Sequence, residues 1–294
     1  MSDLLERYRA HYHVPDEIEL TLDDLRRHLV VELDVTRELL ASTPETRRET
    51  FAAGYERIYR ELWWFNAIES AEASAPVDIR NWVAMIGSAP RRVYEVGAGE
   101  GRLARTLARA GYDVTATDIS AARGGARDDE PGLRWEETDG INLHEHAETG
   151  AYDAVISDQV VEHLHPDDLV PHLRNARRLL RPGGCYAMRT PHGPSGPYDS
   201  SAAFGFPEAL ATHLREYDFR SRVAAFHAAG YTAVAAERPT RRGPKACAHY
   251  ARYLCAADEQ LMRIPFRARS LVVRRVLRDG VPFRRNAILT GFAP

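Results

Sequence analysis

The chain has 294 residues, 44% of them hydrophobic and 28% charged, with a net charge of −3. This is the make-up of a globular protein with room for one large domain, or one domain and an appendage, and its near-neutral balance argues against a polyanionic partner such as nucleic acid. No apolar run approaches the roughly 20 residues of a membrane span, the polar start is no signal peptide, and Cys185, Cys247 and Cys255 form no C-x-x-C pair, so free thiols in a reducing, cytoplasmic setting are expected.

Residues 1–80 read as a helical segment without a strand. Leu22, Leu25, Leu29 and Leu33 recur at helical spacing, and so do Phe51, Tyr55, Ile58, Tyr59, Leu62 and Trp63. Ser42-Thr43-Pro44-Glu45 fits a helix start, and Ser74-Ala75-Pro76 a boundary with a second unit, residues 81–294. There the pattern changes to alternating strands and helices. Strands are expected at 92–96, 113–117, 133–137, 154–157, 185–190, 232–236 and 286–292, and helices at 102–110, 166–180 and 217–229. A mostly helical insertion is expected at 240–284. Alternation of this kind predicts an α/β fold, a doubly wound sheet with helices on both faces.

Glu95-Val96-Gly97-Ala98-Gly99-Glu100-Gly101 stands at the end of the first strand, and a helical pattern with Leu103, Leu107 and Ala110 on one face follows. Glycines there permit positive φ and close approach of a ligand to the backbone. The spacing is G-x-G-x-G, whereas a dinucleotide site calls for G-x-G-x-x-G. Glu95 would repel a pyrophosphate and attract an ammonium group. The turn therefore suits a ligand with a cationic amine, such as S-adenosylmethionine (SAM), and disfavours an NAD-dependent oxidoreductase.

Further features in chain order resemble the class I SAM-dependent methyltransferases over about residues 90–238 and the last strand. Glu95-x-Gly97-x-Gly99-x-Gly101 is similar to the family's first motif. Asp118 ends the second strand, Asp139 follows the third, Ser157–Leu164 resembles the segment after strand four, and Leu179-Leu180-Arg181-Pro182-Gly183-Gly184 the turn before strand five. The resemblance implies a Rossmann-like seven-stranded sheet with its last strand antiparallel, and an N-terminal helical cap. It implies that Glu95 holds the methionine end against Gly97, Ala98, Gly99 and Gly101. Asp118, with Ile119 beside it, would accept the ribose hydroxyls, and Asp139 and Gly140 would flank the adenine. Asp158, followed by Gln159, would offer its backbone carbonyl to the amine. Tyr55, Tyr59, Trp63, Trp64 and Phe65 are expected either to line an acceptor pocket or to be the buried stripe of an amphipathic helix.

On the acceptor side, His163 is the first choice as general base, with His192 and Tyr198 of the Pro/Gly-rich stretch 190–198 as further catalytic candidates and Phe204 and Phe206 as walls. Gln159-Val160-Val161-Glu162-His163 resembles the E-x-x-E-H pattern of ubiquinone-type O-methyltransferases and small-RNA 2′-O-methyltransferases, with Gln159 in place of the first acid. Glu162, His163 and His213 could then hold Mg²⁺ or Zn²⁺, and a metal-free site with His163 as base is the alternative. His11-x-His13, His144-x-His146 and the run Arg267, Arg269, Arg274, Arg275 and Arg278 read as surface. The expectation is a cytoplasmic SAM-dependent methyltransferase in specialised metabolism, acting on a small-molecule acceptor at oxygen, with nitrogen or carbon as alternatives. Its rivals are an RNA 2′-O-methyltransferase and a non-catalytic SAM-binding regulator. The sequence leaves the oligomeric state open, a dimer included.

Overall fold

The structure is a computed structural model that describes residues 2–65, 77–119, 130–265, 268 and 287–294. Internal packing divides the chain into two units. One comprises residues 1–75 and 196–216, the other residues 76–195 and 217–294. The expected join at Ser74-Ala75-Pro76 and the basic run, Arg267 to Arg278, lie outside the described residues.

The larger unit is built on one eight-stranded sheet: β1 (Arg92–Val96), β2 (Asp113–Asp118), β3 (Leu133–Glu137), β4 (Tyr152–Asp158), β5 (Leu180–Arg189), β6 (Ala233–Arg238), β7 (Lys245–Cys247) and β8 (Leu289–Phe292), in the order β3-β2-β1-β4-β5-β8-β6-β7. The strands β1 to β5 pair in parallel, while β8 runs antiparallel to both β5 and β6. The central strands are buried on both faces, which is why each has an apolar centre rather than a polar and apolar alternation. One face carries the helices Arg80–Ile86 and Arg102–Arg109, whose Trp82, Met85, Ile86, Leu103 and Leu107 pack with Val93, Val114 and Ile156. The other carries the helices Leu169–Leu179, Phe219–Ala228 and Ala248–Met262, with Leu173, Phe226 and Leu254 packed on Val155, Tyr186 and Met188. This is the Rossmann-like, doubly wound fold with its antiparallel strand.

Three details differ from the sequence expectations. The sheet gains an eighth, edge strand, β7, inside the stretch expected to be helical, because Lys245–Cys247 pairs with Ala236–Arg238. Pairing of β5 begins at Leu180 against Tyr152, passes over a bulge, and resumes at Cys185 against Ala154. Finally, Ser42 ends a helix and does not start one: its Oγ donates to the Leu39 carbonyl, and the next helix begins at Arg47.

The smaller unit is helical, with Ser2–Tyr12, Leu22–Ala41, Arg47–Glu61 and Ser200–Phe204. A capping box between Thr21 and Asp24 starts its longest helix. Inside lies a polar chain in an aromatic shell. Trp64 Nε1 donates to the Tyr8 hydroxyl (2.9 Å), which pairs with His28 Nδ1 (2.5 Å), while His28 Nε2 meets Glu32 (2.8 Å). Glu32 also accepts from Ser200 and Thr212. Residues 196–216 thus join this unit, although the sequence reading left them with the sheet. No helix among the described residues is long and apolar enough to cross a membrane.

Candidate active site

The order of the sheet reverses between β1 and β4, and β2 and β5 flank that pair. Ligands of open α/β sheets bind outside the strands' carboxyl ends at such a switch point. There Glu95, Gly97, Ala98, Glu100, Arg102, Leu103, Asp158 and Arg189, with Val77 and Asp78, line a cleft of about 430 Å³.

The turn after β1 is shaped by its glycines. Gly97, Gly99 and Gly101 all have positive φ. A Cβ on Gly97 would stand 2.6 Å from the Val160 side chain, and one on Gly101 would stand 2.5 Å from the Trp135 ring. The glycines are thus needed for packing within the protein as well as for a ligand. The Ala98 amide donates to the Thr117 carbonyl (2.8 Å) and the Gly99 amide to Asp118 Oδ2 (2.9 Å), so the turn is tied to the end of β2. Asp118 is buried and Ile119 follows it directly, half-buried.

Glu95 is 3% exposed, and its Oε2 has no hydrogen-bond partner among the described residues. Burial, and then the charges of Asp158 and Asp118, push its carboxyl well above the ordinary range. A buried acid of this kind ionises readily only beside a cation, and the α-amine of SAM is one. Asp139, after β3, accepts from the amides of Ile141 and Asn142 and from the Asn142 side chain, which fixes the turn holding Gly140. Asp158 forms a two-pronged pair with Arg189. Gln159 is exposed and left-handed (φ 58°), with its amide on the Arg189 carbonyl.

The 3-10 turn Val161–His163 follows β4. Glu162 points inward: it is fully buried and accepts from Thr190 Oγ1 (2.8 Å). His163 is half-exposed, and its amide donates to Val160, the residue packed on Gly97. Tyr198 and His213 belong to the helical unit. Both meet Glu216 there, Tyr198 through its amide (2.7 Å) and His213 through Nδ1 (2.7 Å).

His192 is a correction. It is fully buried, its Nε2 donates to Asp258 (2.6 Å), and its ring stacks on Phe219. With no face open to an acceptor, it braces the chain leaving β5 instead of doing chemistry. Of the two histidine pairs read as surface, His13 and His146 are exposed, whereas His11 and His144 are half-buried.

A family model described as a methyltransferase domain matches residues 93–184, the stretch that holds the glycine turn, Asp118, Asp139 and the segment after β4. The chain carries a methyltransferase domain, set in the fold of SAM-dependent methyltransferases. No curated protein matches it in sequence. Among solved structures it is similar to a SAM-dependent methyltransferase from Archaeoglobus fulgidus (14% identity, TM-score 0.51, covering 78% of this chain and 99% of that one). It is also similar to a SAM-dependent methyltransferase from Thermotoga maritima (12% identity, TM-score 0.50, covering 82% and 98%). At these identities the likeness is one of fold.

In this methyltransferase, bound SAM would supply an electrophilic methyl on a sulfonium. Glu95 would hold the amine, and Asp118 would present a carboxylate to the ribose from the end of β2. Three features of the methyltransferase unit escaped the sequence reading. Arg189 could have been found from its place at the carboxyl end of a strand. Trp82, beneath Arg189, and Asp258, which also accepts from the Phe219 amide (2.6 Å), are brought in by packing alone.

Proposed function

We propose that this methyltransferase modifies a small-molecule acceptor at oxygen, with His163 as the base that takes the acceptor's proton. The observation that supports this is the half-exposed His163 on a turn packed, through Val160, against the glycine motif. An imidazole is the side chain that exchanges protons near neutral pH, and a phenol or similar hydroxyl needs such a partner to become a nucleophile. The remaining work is alignment of nucleophile, methyl and sulfur, worth up to roughly 7–11 kcal/mol. The net charge of −3 supports a small molecule over RNA. The presence of a helical unit in addition to the sheet unit supports a specialised acceptor.

The test is methyl transfer from labelled SAM to a panel of phenols, carboxylic acids, amines and RNA. Hydroxyl acceptors should be labelled and RNA should not. His163→Ala should lower kcat by about 100-fold or more, since a positioned base contributes about 10²–10⁴-fold, and should leave affinity for S-adenosylhomocysteine unchanged. Unaltered turnover would remove His163 from the mechanism. Running the same assay in EDTA asks whether Glu162, His163 and His213 carry Mg²⁺ or Zn²⁺; full activity would mean that they do not.

A further inference from the structure

The cleft holds acids that suit a cationic amine, yet an amino-acid tail also carries a carboxylate. Among the described residues two cations line the cleft, Arg102 and Arg189. The guanidinium of Arg189 is held in one plane from two directions. Along one edge Nε and Nη2 donate to the two carboxylate oxygens of Asp158. On one face lies the Trp82 ring, 5.4 Å from the guanidinium carbon to the ring centroid, within cation–π range. Glu237 adds a second negative charge to its surroundings. A guanidinium has five N–H donors, and the fork on Asp158 uses two. The side chain is 28% exposed and lines the cleft.

The geometry points to Arg189 as the anchor for the α-carboxylate of the cofactor's amino-acid tail, with Glu95 as the anchor for its amine. This rests on the cleft's binding SAM, as read above. A planar fork held in place before the ligand arrives loses little freedom on binding, and a charge-assisted pair of this kind is among the stronger polar contacts. The Asp158–Arg189 pair has a second effect. It neutralises Asp158, so the amine is left to Glu95, whose Oε2 is buried without a partner among the described residues. The tail is thereby oriented, amine to β1 and carboxylate to β5, and a reversed tail would set like charges against each other at both ends.

The test is a two-by-two comparison by calorimetry. SAM and decarboxylated SAM, which lacks only the carboxylate, are each titrated into the wild-type protein and into Arg189→Met. Wild type should bind the decarboxylated ligand about 10- to 100-fold more weakly than SAM, the range of a charged hydrogen-bonded contact. Arg189→Met should lose a similar factor for SAM and should no longer distinguish the two ligands. Because that change leaves Asp158 without its partner, the double variant Asp158→Asn/Arg189→Met, which keeps the cleft's net charge, serves as a second carrier and should behave alike. Full discrimination retained by either variant would overturn the assignment and give Arg189 to another anion, such as one on the acceptor. A wild-type protein that bound neither ligand would overturn the cofactor reading itself.

Discussion

Glu95 shows how a single residue can trade stability against binding. Its carboxyl is raised well above the ordinary range by burial and by the neighbouring Asp158 and Asp118. A group whose folded pKa lies above its unfolded value supports the fold fully below the unfolded value, and that support is lost as the pH rises through the folded one. Glu95→Gln should therefore raise the melting temperature of the ligand-free protein at pH 8. The same change should weaken S-adenosylhomocysteine roughly 10- to 100-fold, by loss of a charge-assisted bond. In the wild type an amine favours the ionised acid, so binding should release a proton. Affinity should rise with pH, and the heat measured should vary with the ionisation enthalpy of the buffer. A Glu95→Gln variant that bound as tightly as the parent would take this residue out of the site. Glu95 was legible in the sequence because its chemistry is local: an acid, then three glycines at alternate positions. Arg189 was not, because its meaning depends on Asp158, 31 positions earlier, and on Trp82 beneath it.

Elements were legible where burial is uniform. The strands β1, β2 and β4 stand close to their expected places because strands covered on both faces leave short, largely buried runs, whereas β3, with no fully buried position, is marked by its place in the alternation. The three-residue β7 has two exposed positions and no apolar alternation, so nothing in its composition marks it. The helix Leu169–Leu179 carries a buried function that its periodicity does not reveal. His172 on that helix donates through Nδ1 to the Gly140 carbonyl (2.5 Å) and pairs through Nε2 with the Tyr186 hydroxyl (2.6 Å), which bonds Ser157 in turn. The helix thereby holds the turn after β3 to β4 and β5. Burial lowers the His172 pKa to about 4, despite the Gly140 bond and Asp139. The unfolded chain binds a proton near pH 6.5 and the folded one resists it, so stability is lost as pH falls from about 6.5 toward 4. The loss reaches roughly 3 kcal/mol. Unfolding of His172→Gln in urea should show a shallower acid limb over that window; an unchanged limb would assign the acid sensitivity to other groups.

At the scale of the molecule, the chain is two units with interleaved sequence. A change of pattern near residue 80 is visible in the sequence, but the membership of residues 196–216 is not. It rests on non-local bonds, Ser200 and Thr212 to Glu32, and on Phe204 beside Tyr8. Glu32→Ala would strand His28 in a buried site, and breaking one half of a buried pair costs about 3–5 kcal/mol. Hydrogen exchange should then quicken in the helices Ser2–Tyr12 and Leu22–Ala41 and in residues 196–216. Cofactor affinity should stay at the wild-type value, since every described residue lining the cleft lies in the larger unit. A variant with unchanged exchange in those segments would show that the His28–Glu32 pair is dispensable.

The excursion from Gly196 to Glu216 leaves and returns through one pinned point. His192 and Tyr217 form a parallel bridge, the Gly193 amide donates to the Tyr217 carbonyl (3.1 Å), and Asp258 grips both the His192 ring and the Phe219 amide. The closure cost of whatever lies between is thus met at its neck, and lengthening a flexible loop adds only about 0.6 kcal/mol per doubling. Changes of length within this excursion therefore leave the end of β5 and the start of the helix Phe219–Ala228 where they are, which makes the neck a seam at which the fold tolerates insertion.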